Sequence, residues 1–171
     1  MSEGYASDAP RAISVGFALL MILSVVTTIL LIVAALAYYS GSPARIASDY
    51  TAVASPADQA IGAEVDGYSH NRDHDLAAAK SDLLREVNTL AAFDTQLATV
   101  AFPGAAATAA TSLTQAEENL AKLIRQQVRA PSLRRMRSFD PRVEAAAAAV
   151  KTQVGLIRQA LGLPASSGTL F

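Results

Sequence analysis

One stretch constrains this chain before any other: the 28 residues from Ala12 to Tyr39 carry no charge. A bilayer core of ~30 Å needs about 20 apolar residues at 1.5 Å rise per residue. Val15 to Leu36, with Leu19, Leu23, Leu30 and Leu31 inside it, meets that length. In hydrocarbon the backbone must satisfy its own polar groups, so the stretch is expected to be a transmembrane helix. Arg11 brackets it on one side and Gly41-Ser42-Pro43 on the other. Residues 1–11 then read as a short cytoplasmic tail, and 40–171 as the extracytoplasmic part of a single-pass cell-membrane protein.

Ala35-Leu36-Ala37 has the small residues of a signal cleavage site. A signal h-region, however, is roughly 7–15 residues, so the longer run here reads as an uncleaved signal-anchor. Arg11 and Arg45 give little positive-inside bias, and the N-in, C-out expectation rests on a short tail preceding a long C-terminal part. Ser14, Ala18, Met21, Val25, Thr28, Ile32 and Ala35 share one helix face that is smaller than its Leu/Ile-rich opposite. Small residues admit a partner helix; a lone anchor fits the same face.

Beyond the anchor, composition narrows the fold class. Alanine, the best helix former, supplies 36 of 171 residues, while β-branched and aromatic residues after residue 40 are too sparse for a sheet. The expected fold is all-α. With no cysteine, disulfides, thiolate chemistry and Cys-based zinc sites are excluded. No tryptophan, five Phe, five Tyr and a net charge of −1 argue against nucleic-acid binding.

Ser42-Pro43 and Ser55-Pro56 both read as an N-cap followed by an N1 proline. Residues 40–69 are therefore expected to form a stalk of short helices, loosened by Gly62 and Gly67. A stronger pattern follows: Leu76, Leu83, Leu90 and Leu97 recur every seven residues, with Ala79, Val87, Phe93 and Val100 between them. That is a core-facing stripe within a helix of about 70–101, and Lys80, Asp82, Arg85 and Glu86 should lie on its solvated face. A second long helix, about 105–129, turns Leu113, Ala116, Leu120, Leu123 and Ile124 inward. Residues 132–139 have room for one helical turn. A third long helix, about 141–162, carries Val143, Ala147, Val150, Val154, Ile157 and Leu161, starts at Asp140-Pro141 and stops at Gly162 before Pro164. Short breaks between long amphipathic helices imply an antiparallel three-helix bundle over 70–162, or a four-helix one if the 43–68 segment joins it. Extension of the helices into an oligomeric coiled coil is the alternative, and 163–171 reads as a flexible tail.

Two constellations could carry chemistry. On a continuous helix, His70 and His74 would share a face with Asp66, giving two imidazoles and a carboxylate suited to Zn²⁺ or Cu²⁺. The same residues also read as a plain, exposed helix start. The second constellation is basic. Lys122, Arg125, Arg129, Arg134, Arg135, Arg137 and Arg142 make up seven of fourteen Lys+Arg, and no acid lies between Glu118 and Asp140. Residues 46–100 mirror it with nine acids against three bases. An acidic helix beside a basic one would pair internally, each exposed pair being worth ~0–1 kcal/mol. If instead the helix of 70–101 climbs from the membrane, the Arg-rich turn returns to it. There it could touch anionic headgroups or an acidic partner, with Leu133, Met136 and Phe139 interleaved for docking. No nucleophile–base pair, Gly-x-Ser-x-Gly or phosphate-cradling loop is present, so neither an enzyme nor a bound cofactor is expected.

The layout resembles small single-pass envelope proteins of high-GC actinobacteria: a short polar N-terminus, one anchor, and an Ala-rich helical outer domain ending in Leu161-Gly162-Leu163-Pro164. Among those are uncharacterised proteins and accessory subunits of respiratory complexes. The resemblance implies a non-catalytic interaction protein docking on a larger membrane assembly or on copies of itself. The alternative is an extracytoplasmic module binding a metal or, inside the bundle, a lipid.

Overall fold

The computed structural model describes residues 42–171, where every regular element is a helix. The expected span, with Val15, Leu19, Leu23, Leu30 and Leu31, lies outside the described residues. Among those described, no helix is long and apolar enough to cross a membrane. The elements are α1 (Pro43–Asn71), α2 (Leu76–Leu97), α3 (Gly104–Val128), the single-turn α4 (Leu133–Arg137) and α5 (Asp140–Ala160).

The expected stalk over 40–69 is corrected: α1 is one helix of 29 residues. Ser42 caps it as expected, its hydroxyl accepting from the Arg45 N–H at 3.3 Å. Ser55-Pro56 starts nothing. Pro56 and Ala52, whose carbonyl loses its partner, both lie on the exposed face, where water replaces the missing bond. What carries the helix through is its apolar stripe: Ile46, Tyr50, Ala54, Ile61 and Tyr68 are buried along one side. The two glycines thought to loosen the segment serve close packing instead. A Cβ on Gly67 would sit 3.0 Å from the Asp82 carboxyl, and one on Gly62 would sit 3.2 Å from Thr169 Oγ1.

α1 packs along α2, α2 beside α3, and α3 along α5. The four-helix alternative therefore holds over the three-helix one: α1, α2, α3 and α5 pack on one another within the chain rather than extending into a coiled coil. The anticipated inward residues of α2 to α5 are largely confirmed. Leu83, Leu90, Phe93 and Leu97 on α2, Leu113, Leu120 and Ile124 on α3, and Val150, Val154 and Ile157 on α5 are all buried, with Ala116, Leu123, Val143 and Ala147 half-buried. α2 begins later than expected, at an N-cap formed by Asp75, whose carboxylate accepts from the Ala78 N–H at 2.9 Å. The supposedly solvated face of α2 is also corrected. Asp82 and Glu86 are 3% and 6% exposed, because α1 covers that side.

The 163–171 segment is not a loose tail. Gly162, at φ +69°, takes the left-handed turn required after α5, with the Leu163 N–H bonding the Arg158 carbonyl at 2.8 Å and the Gly162 N–H bonding Gln159 at 3.1 Å. Beyond Pro164 the chain folds back. Phe171 stacks on Phe93 with ring centroids 4.0 Å apart, and the Asp58 carboxylate accepts from the Leu170 and Phe171 N–H groups at 2.7 and 3.0 Å.

Candidate functional site: the arginine-rich end of the bundle

Adding α1 changes which turns share an end. At the Pro43 end lies the α2–α3 turn, with the Phe102 ring edge-on to Tyr50 at 6.0 Å. The α1–α2 turn and the corner from Arg129 to Asp140 lie at the opposite end, where Arg137 pairs with Asp73 and Arg72 with Asp140 at 3.2 Å. The first ascending helix of the bundle starts at Pro43 and not near residue 70, which sets the Arg-rich turn at the end opposite Pro43.

The corner is built locally by short-range caps. Ser132 accepts from the Arg135 N–H at 3.3 Å to start α4, and the Ser138 hydroxyl donates to the Arg135 carbonyl at 2.7 Å. Met136 is fully buried and Phe139 is 8% exposed, while Leu133 is half-buried. Met136 and Phe139 are thus pins holding the corner to the bundle, which corrects their expected role in docking. Phe139 still faces the cations: the guanidiniums of Arg142 and Arg135 lie 4.6 and 5.6 Å from its ring centre.

Beneath the corner a polar network joins three helices. Asp140 was expected to cap α5, yet Phe139 holds that position without a side-chain cap, and the Asp140 carboxylate reaches inward. It accepts from the Tyr68 hydroxyl at 2.7 Å, Gln127 Nε2 at 2.7 Å and Arg72 at 3.2 Å. Gln127 Nε2 also reaches the Tyr68 oxygen at 2.8 Å. Burial, reinforced by the neighbouring Asp140 charge, pushes the Tyr68 hydroxyl well above its ordinary value, so it stays a donor.

With Asp140 engaged inside and Asp73 on Arg137, the corner itself presents mainly guanidiniums. Arg129, Arg134, Arg135, Arg137 and Arg142 are exposed, and Arg129 and Arg134 have no ion-pair partner among the described residues. The histidines lie at this same end. α1 stops at Asn71, so His74 falls in a turn, and the two rings meet edge to face at 5.2 Å. Asp66 remains exposed on α1, and no group of three or more His, Asp or Glu among the described residues could hold a metal ion. The proposed His70–His74–Asp66 ligand set is therefore corrected; it required one unbroken helix through residue 74.

Sequence reasoning missed the buried polar residues. Glu117 and Gln127 are each 1% exposed on α3, and Glu86 on α2 faces α1. Burial lifts the Glu86 carboxyl to about 7, with the Glu64 charge adding to it. Burial also lifts Glu117 to about 10, helped by a hydrogen bond and charge from Asp94. Glu117 and Gln127 lie four and fourteen residues after Leu113, in phase with Leu113, Leu120 and Ile124, and that phase was the available signal. No protein-family model, curated protein or solved structure matches this chain. Fold and site together define an antiparallel four-helix bundle with an arginine-rich corner at one end.

Proposed function

We propose that this is a non-catalytic, membrane-anchored interaction protein, held in the cell membrane by residues 12–39, whose Arg-rich end docks on an acidic surface of a larger membrane assembly. One observation carries the reading: exposed, unpaired Arg129 and Arg134 stand on a corner fixed by Met136, Phe139 and the Asp140 network. Rigid presentation matters because guanidiniums ordered beforehand lose less entropy on meeting carboxylates, and their planar forks suit bidentate pairing. An acidic protein surface suits these planar forks, and lipid contact belongs to Val15, Leu19, Leu23, Leu30 and Leu31.

Crosslinking mass spectrometry on native membranes tests this reading. The expected result is crosslinks from the 129–142 corner to Asp/Glu-rich segments of one membrane complex, lost when Arg129, Arg134 and Arg135 are replaced by Glu. Recovery of only free monomer after mild extraction, with or without crosslinker, would overturn it.

A further inference from the structure

Because α1 packs along α2 and α5 along α3, the seam between α1 and α5 is left partly open. A cavity of about 240 Å³ fills it, walled mainly by Val65, Leu83, Val143 and Leu170, so the folded-back tail supplies part of the enclosure. Glu86, Gln127, Tyr68 and Asp140 also line it.

The hydrogen-bonding inventory of this cavity is unbalanced. Its inner donors are spent: the Tyr68 hydroxyl, Gln127 Nε2 and Arg72 all donate to Asp140. One acceptor group facing the cavity remains unused: the Glu86 carboxyl, 6% exposed, makes no side-chain hydrogen bond among the described residues, whereas Gln127 Oε1, also without a partner, is sealed from any water-sized contact. Lys151 and Glu144 line the cavity from exposed positions on α5. A buried acceptor without a donor is costly, and a buried carboxylate without a countercharge more so. Water would supply hydrogen bonds but no charge. The complement to this lining is a cationic donor attached to an apolar body. An apolar cavity of about 150 Å³ holds benzene, so the volume here leaves room for a ring with a short arm.

We infer that the cleft between α1 and α5 is a binding site for a small primary ammonium bearing an aromatic or branched apolar group. The ammonium donates to the Glu86 carboxylate, and the apolar group lies between Val65, Leu83, Val143 and Leu170. Burial favours the neutral carboxyl of Glu86 in the empty cleft, so binding a cation releases a proton from it.

The test is calorimetric titration of phenethylammonium into the full chain in detergent micelles near pH 7, with empty micelles as the blank. The expected result is saturable one-to-one binding, weakened at least tenfold by Glu86→Gln and by the cavity-filling Val143→Phe. The equally sized anion 3-phenylpropionate should show no saturable heat. Circular dichroism of both variants checks that they remain folded. Absence of saturable binding by the unmodified chain, undiminished binding by folded Glu86→Gln, or equal binding of the anion would each overturn the inference.

Discussion

The two ends of the bundle are held together by different physics. At the Pro43 end and along the middle, rings and aliphatic side chains do the work: Tyr50 against Phe102, and Phe93 stacked on Phe171. At the other end the seams are tied by ionised and hydrogen-bonded groups, with Asp140 joining α1, α3 and α5, and Arg137 reaching across to Asp73. Apolar contact carries no charge for salt to screen or pH to titrate, and it is non-directional. A charge network is directional, screened when exposed, and intolerant of losing one member. The apolar end therefore sets how stable the bundle is, and the charged end sets what it presents.

Substitutions should separate these roles. Phe93→Ala removes a fully enclosed ring and its stacking on Phe171, and is expected to destabilise the chain by about 3–5 kcal/mol, the range for such truncations in cores, as read by chemical denaturation. Asp140→Ala strands three donors at once. Because Arg72 is partly solvated, the expected loss is smaller, about 2–3 kcal/mol, and the remaining stability should respond less to added salt. If the Asp140 variant loses as much as the Phe93 one, the division between the ends is wrong.

Glu86 and Glu117 supply a pH test that cuts across the ends. Both have folded values raised above the ordinary 4.5, to about 7 and about 10. The folded state therefore holds protons that the unfolded chain releases. Their favourable contribution is full below about pH 4.5 and is lost as pH rises through the folded values, at up to ~1.4 kcal/mol per pH unit for each group. Melting temperature should thus fall between pH 5 and pH 8, and Glu117→Gln should flatten that slope while raising stability at pH 8. A melting temperature that rises over this interval would refute the assignment. The smallest effects belong to the cationic surface. Arg142→Ala removes one cation over Phe139 and should cost about 0.5–1 kcal/mol. Arg134→Glu should leave the melting curve unchanged while abolishing partner crosslinks.

The sequence was informative where periodicity alone decides. The seven-residue recurrence from Leu76 to Leu97 and the alternation from Val143 to Leu161 located two helices and their inner faces, and Gly162 marked a stop that the structure builds as drawn. Local signals failed where a distant partner overrides them. Ser55-Pro56 has the chemistry of a helix start, but the stripe from Ile46 to Tyr68 gains more from one continuous surface against α2 than a new cap could supply. The buried acids were illegible for a related reason. A charged residue defaults to solvent, and Asp140 turns inward only because Tyr68, Arg72 and Gln127, as far as 72 positions away, meet it there. The tail reads as Ser- and Gly-rich coil until Asp58 is known to face it.

That last contact joins residues separated by 112 and 113 positions, and its consequence is kinetic. The α1–α2 and α3–α5 pairs close from neighbouring segments and need little loop entropy, so each can form early. The backbone hydrogen bonds of Leu170 and Phe171 cannot form until both pairs have assembled and brought Asp58 into reach. They are then the last bonds made in folding and the first lost in local opening. Amide exchange at Leu170 and Phe171 should accordingly outpace exchange at Leu90 or Leu120, marking the tail as a latch that opens while the bundle stays closed.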